Sequence, residues 1–188
     1  MNENKKEKLA LFDLDGTLFN TDDVNYLSYR DALLPFDIKL DREFFVKKCN
    51  GRSYKDFLPG IMGGKEHIEE VHDKKMDLYV KYLGEAKINS HLFDIIRSLK
   101  ETYYIAIVTT ASKKNTEDIL NHFKVGELFD YCITKEDIKI TKPDPEGFLS
   151  AMKHFNISAS DTVIFEDSDV GIEAARASGA SVFAVEKF

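Results

Sequence analysis

The chain has 188 residues, 43% of them hydrophobic and 31% charged, with a formal net charge of −7. That length supports one solid domain plus a small insertion, and the composition supports a real core under a charged surface. The acidic balance argues against nucleic acid or an anionic membrane as main partners, and no apolar run approaches membrane-spanning length. Residues 1–8 are polar and lysine-rich. No signal-peptide core follows them, because Asp13 and Asp15 interrupt the next apolar run, so a cytoplasmic protein is expected. Residues 9–12, Leu-Ala-Leu-Phe, read as a short buried strand. Thr21, Asp22 or Asp23 can cap a helix that Pro35 ends near Leu34. Asp41 can cap a short helix over 42–48, and Asn50–Gly51 is a turn. A third helix is expected over 53–61, interrupted by Pro59. After the Gly63–Gly64 break, residues 65–83 read as one long helix closed by Gly84.

From residue 88 onward the pattern changes to alternating helices and strands. Leu92, Ile95, Ile96 and Leu99 mark an amphipathic helix. Strands are predicted over 103–108, 131–133, 162–165 and 181–185, with helices over 113–123, 145–155 and 170–178. Such alternation predicts an α/β fold with a parallel sheet covered on both faces. The expected organisation is an α/β core from residues 1–19 and 88–188 and a helical insert over 20–87. Residues 18–21 and 84–90 are the expected hinges. Cys49 and Cys132 form no metal-spacing motif and are expected as free thiols. The five histidines show no metal spacing either and read as structural.

Four stretches place chemistry at predicted strand ends, where an open parallel sheet binds ligands. The first strand runs into Asp13-Leu14-Asp15-Gly16-Thr17. Two acids one residue apart are costly there unless a cation or a reaction uses them. Gly16 permits a sharp turn directly after the pair. The second strand ends in Thr109–Thr110, whose hydroxyls can donate to a phosphoryl oxygen. Lys142 precedes Pro143 in Thr-Lys-Pro-Asp-Pro, and the proline stiffens the loop that carries this charge. The strand at 162–165 ends in Glu166-Asp167-Ser168; Asp167, Ser168 or Asp169 can cap the next helix, with Asp169 the one expected to. Taken singly, Thr109 reads as an ordinary strand residue and Lys142 as a surface turn.

Together, in this order, the four stretches resemble the haloacid dehalogenase superfamily, over nearly the whole chain. The Glu-Asp-Ser form of the last motif, with Gly171 after it, is similar to the branch with helical caps. That branch includes sugar-phosphate phosphatases and β-phosphoglucomutases. The resemblance implies a Rossmann-like three-layer α/β/α core, with the insert as a cap. It implies a Mg²⁺-dependent phosphatase acting through an aspartyl-phosphate, with hexose-phosphate mutase as the alternative. Asp13 would be the nucleophile and Asp15 the general acid and base. Thr109, with Thr110 as its fallback, and Lys142 would bind phosphate. Asp13, Asp15 through its carbonyl, and Asp167 would hold the metal, with Glu166 nearby. Arg52, in Asn-Gly-Arg-Ser, and Lys75 match substrate-binding positions of such caps. Each reads equally well as a solvated surface charge. Relatives often carry glycine where Thr141 stands and continue beyond the last predicted strand, so an edge element of the sheet is expected to be absent. Many β-phosphoglucomutases carry an aliphatic residue where Thr17 stands, which favours hydrolysis. A dehalogenase would lack Asp15, and a mere binding protein would not need the full set. The partner implied is a small phosphorylated metabolite, with the chain a monomer or weak homodimer.

Overall fold

The structure, a computed structural model, describes residues 5–186 and 188. The described residues up to Asn20 and from Ile88 onward form one compact unit, and Thr21–Lys87 forms another. In chain order the strands are β1 (Lys8–Phe12), the short β2 (Phe19–Asn20) and β3 (Lys87–Ile88), β4 (Tyr103–Val108), β5 (Tyr131–Ile133), β6 (Thr162–Glu166) and β7 (Ser181–Ala184). The helices are α1 (Asp22–Leu33), α2 (Arg42–Lys48), α3 (Tyr54–Met62), α4 (Ile68–Tyr79), α5 (Ser90–Leu99), α6 (Lys113–Phe123), α7 (Glu146–Phe155) and α8 (Asp169–Ala177).

The first unit is built on a five-stranded sheet in the order β5–β4–β1–β6–β7, parallel throughout. Buried on both faces, β1 and β4 lack the polar alternation of a half-exposed strand. On one face Leu9, Leu11, Val108 and Ile164 pack with Phe148 and Met152 of α7 and Ala174 of α8. Side chains alternate along a strand, so Ala10 and Phe12 point the other way. There Phe12 stacks on its register partner Phe165 at 4.5 Å between centroids. Phe19 lies against Phe93 of α5 and Phe123 of α6. From β1 the winding runs out to β4 and β5 on one side, while β6 and β7 lie on the other. The reversal beside β1 opens a crevice at the carboxyl ends of β1 and β6. The α/β architecture is therefore the one the alternating pattern predicted. One expectation fails here: Ser168, not Asp169, caps α8, with its Oγ accepting from the Gly171 N–H at 3.1 Å.

The second unit packs α1 to α4 around Tyr29, Leu33, Phe45, Phe57, Leu58 and Val71. Asp41 caps α2, accepting from the Phe44 N–H at 2.8 Å. Pro35 ends α1 at Leu33, and the chain continues as a 3₁₀ turn, Leu34–Phe36. Contrary to expectation, α3 runs straight through Pro59. The bond lost there is only the one to the carbonyl of Lys55, an exposed residue. Pro59 in turn accepts from the Gly63 and Gly64 N–H groups, which closes the helix. The predicted helix over 65–83 is shorter, as α4 covers only Ile68–Tyr79 and a 3₁₀ segment, Val80–Glu85, follows. Lys81 and Tyr82 on that segment both donate to Asp31 of α1. Gly84 lies within the 3₁₀ segment rather than closing a helix. Among the described residues, no helix is long and apolar enough to cross a membrane.

Candidate active site

Asp13 leaves β1 still tied to the sheet, its N–H donating to the Phe165 carbonyl at 3.0 Å. The chain then turns at Gly16, whose φ of +95° is one that a side chain rarely adopts. Gly16 N–H closes the turn by donating to the Phe19 carbonyl at 2.7 Å. The result is a buried Asp13 carboxylate at the mouth of the crevice.

Lys142 reaches this carboxylate from the loop before α7, across a cis Lys142–Pro143 bond. Its Nζ donates to Asp13 Oδ1 at 2.6 Å, to Glu166 Oε2 at 2.6 Å and to the Val108 carbonyl at 3.2 Å. The ammonium is therefore no solvated turn charge: it sits between two buried carboxylates. Burial pulls its pKa down, but Asp13 and Glu166 outweigh that and hold it above the ordinary lysine value. Burial pushes the Asp13 carboxyl well above the usual range; Lys142 opposes this, while Glu166 and Asp15 add to it.

Glu166 backs the lysine from the last position of β6. Its other oxygen, Oε1, accepts from the Ser168 N–H at 3.1 Å and the Ser168 Oγ at 2.8 Å. Gly171 makes room for it, since a Cβ there would lie 2.1 Å from Glu166 Cδ. Asp167 turns the opposite way along the chain and meets the first loop. Thr17 Oγ1 donates to Asp167 Oδ1 at 3.0 Å, and a Cβ on Gly16 would lie 2.2 Å from Asp167 Oδ2. One oxygen from each of Asp13, Glu166 and Asp167 lies within 4.8 Å of the others. Three carboxylates gathered by two glycines, with a single lysine among them, form a hard-oxygen set that fits a divalent cation. Glu166 already has both oxygens engaged, so Asp13 and Asp167 are the carboxylates better placed for an ion.

Thr109 follows directly on β4, its N–H donating to the Ile133 carbonyl at 3.0 Å. Its buried Oγ1 accepts from the Ala111 N–H at 3.0 Å, which leaves the hydroxyl proton to donate elsewhere. Thr110 is exposed, yet it lines one small cavity together with Thr109 and Lys142.

Residues 10–185 match the profile described as haloacid dehalogenase-like hydrolase. The chain belongs to this family. Among curated relatives, it is 26% identical to a phosphorylated carbohydrates phosphatase of Thermotoga maritima, over 90% of this chain and 81% of that protein. It is 27% identical to a β-phosphoglucomutase of Bacillus subtilis, over 95% of this chain and 82% of that protein. The crystal structure of CbbY from Rhodobacter sphaeroides in complex with phosphate shares the fold, with a TM-score of 0.84 at 22% identity, covering 96% of this chain and 87% of that one.

The two other candidate positions of this haloacid dehalogenase-like hydrolase lie in the helical unit. Arg52 is exposed in the turn before α3, its N–H donating to the Cys49 carbonyl at 3.0 Å. Lys75 does not lie on a solvated helix face: it is buried, with Nζ 4.7 Å from the Tyr79 ring centroid and 5.4 Å from that of Tyr29. Its neighbour Lys74 takes the exposed face instead. Sequence reasoning missed Tyr29, which lies 46 residues before Lys75 with no periodic signal joining them. It also missed the Thr17–Asp167 and Glu166–Ser168 bonds. The second had a local signal, because serine two residues after an acid is well placed to cap a helix and donate back.

Proposed function

We propose that this protein is a Mg²⁺-dependent phosphatase of a small phosphate monoester, of the sugar-phosphate class. The Lys142 ammonium held between Asp13 and Glu166 is the observation that carries the reading. A fixed cation beside a buried carboxylate is what an anionic nucleophile needs to approach an anionic phosphoryl group. Asp13 attacks phosphorus in line; its oxygen bonds to phosphorus as the bond to the substrate's alcohol oxygen breaks. This gives an aspartyl-phosphate and divides one hard displacement into two easier ones. Asp15 delivers a proton to the departing oxygen, then takes one from the water that hydrolyses the intermediate. That role needs Asp15 protonated in the first step. Lys142 and Thr109 receive the phosphoryl oxygens, with Thr110 as the second hydroxyl. Asp13, Asp167 and the Asp15 carbonyl would hold Mg²⁺, with Glu166 bracing the set; when bound, the ion neutralises phosphoryl charge. The transition state is loose, so positioning and charge supply most of the rate.

The helical unit is read as a cap that excludes bulk water, with Arg52 and Lys75 gripping the rest of the substrate. The carbohydrate phosphatase of T. maritima supports the substrate class. A second reading, a hexose-phosphate mutase, is favoured by the comparable similarity to the B. subtilis β-phosphoglucomutase. Release of inorganic phosphate from a panel of phosphorylated metabolites, with and without Mg²⁺, tests the first reading. β-Glucose 1-phosphate decides between the two. A phosphatase releases free phosphate from it without a bisphosphate activator. A mutase yields glucose 6-phosphate and little free phosphate, and only when a bisphosphate primer is added.

A further inference from the structure

We infer that Thr17 is a positioning residue for the cation site, acting through Asp167; the inference rests on the Mg²⁺ reading above. Thr17 is fully buried, and its hydroxyl donates to Asp167 Oδ1 across 150 residues of sequence. The other oxygen, Oδ2, lies against the bare Cα of Gly16, where any side chain would collide with it. The Gly16–Thr17 segment therefore grips both ends of one carboxylate, by contact at one oxygen and a hydrogen bond at the other. A neutral donor suits this task. It fixes the plane of the carboxylate without cancelling the charge that an ion needs, whereas a lysine in its place would compete with the metal. The hydroxyl is committed to Asp167, so its first role is to orient the metal-binding acid. Groups that orient a ligand in this way typically change metal affinity about 10- to 100-fold when removed.

The test is isothermal titration of Mg²⁺ into substrate-free wild type, Thr17→Val and Thr17→Ser, alongside melting of the metal-free proteins. Thr17→Val keeps the shape and removes the donor; Thr17→Ser keeps the donor. The expected result is a Mg²⁺ dissociation constant about 10-fold higher or more in Thr17→Val, with Thr17→Ser near wild type. If Thr17→Val does not fold, Thr17→Ala replaces it in the same titration. Equal affinity in wild type and Thr17→Val overturns the inference while leaving the cation reading intact. Weakened binding in Thr17→Ser with Thr17→Val near wild type overturns it in favour of a packing role for the methyl group, which valine keeps and serine lacks. A wild-type protein that takes up no Mg²⁺ removes the cation reading, and the inference with it.

Discussion

At the end of β1, one lysine and two carboxylates share a buried space. Asp13 and Glu166 both lie within 2.6 Å of the same nitrogen, so neither acid faces burial without a counter-charge. Asp13→Asn keeps the shape and removes the attacking charge. Turnover should fall by orders of magnitude, measured as phosphate release from the best substrate of the panel; near-normal turnover would exclude an aspartyl-phosphate. The same variant makes a stability prediction. Folding raises the Asp13 pKa, so the stability linked to its protonated form is present in acid and lost as pH rises through the folded value. Asparagine has no such loss. Melts in chelator should show Asp13→Asn at least as stable as wild type, with the gap widening from about pH 4 to about pH 7. The thiols give a separate check. Burial pushes Cys132 up to about 11 and raises Cys49 as well, although the nearby Arg52 opposes the latter. Both should resist alkylation in the native protein near neutral pH and react once it is unfolded; rapid native labelling of the buried Cys49 or the half-buried Cys132 would contradict the raised thiols.

Helix α8 works as an element because its first turn is stripped down. Ser168 caps it, and Gly171 leaves the volume that Glu166 occupies. Gly171→Ala would be innocuous in most helices. Here the added methyl must displace the carboxylate that backs Lys142. Overpacking of this kind costs about 1–3 kcal/mol, and turnover should fall with it. Denaturant melts and phosphate-release rates measure the two effects, and a Gly171→Ala protein that shows neither would mean that Glu166 can move freely. In the helical unit the cap of α2 offers a purely structural contrast. Asp41→Ala removes the bond to the Phe44 N–H and should cost about 1 kcal/mol. No change in the Mg²⁺ affinity of the core is expected, and the same titration used for Thr17 checks that.

For the whole molecule, the cation site is catalytic in the proposed reading and does not hold the fold together. The sheet and its packed helices need no ion, since their apolar faces are already covered. Chelation should therefore abolish turnover while circular dichroism stays unchanged. Mg²⁺ at about 100 times its dissociation constant should still raise stability by about 2.7 kcal/mol, because it binds only the folded protein. Full activity in chelator, or loss of helical signal on chelation, would contradict this division of roles.

The sequence by itself determined the order of strands and helices in the core and the family. The apolar runs at Leu9–Phe12 and Tyr103–Val108 have the length of buried strands, and the helices between them have a 3.6-residue stripe. These signals are local, so they are readable without contacts. The candidate site was also legible as four separate stretches, because each chemical residue type sits directly after a strand. Local chemistry misled in two places: Pro59 does not break α3, and the end of the predicted long helix is a 3₁₀ segment whose Lys81 and Tyr82 donate to Asp31, far off in the chain. Tertiary structure alone decided which carboxylate pairs with which donor. Lys142 is 129 residues from Asp13, and Thr17 is 150 from Asp167. The Thr17–Asp167 bond exists because parallel β1 and β6 end side by side, and the Lys142–Asp13 bond because the loop before α7 comes back over the end of β4; no pattern along the chain encodes a distance across the sheet.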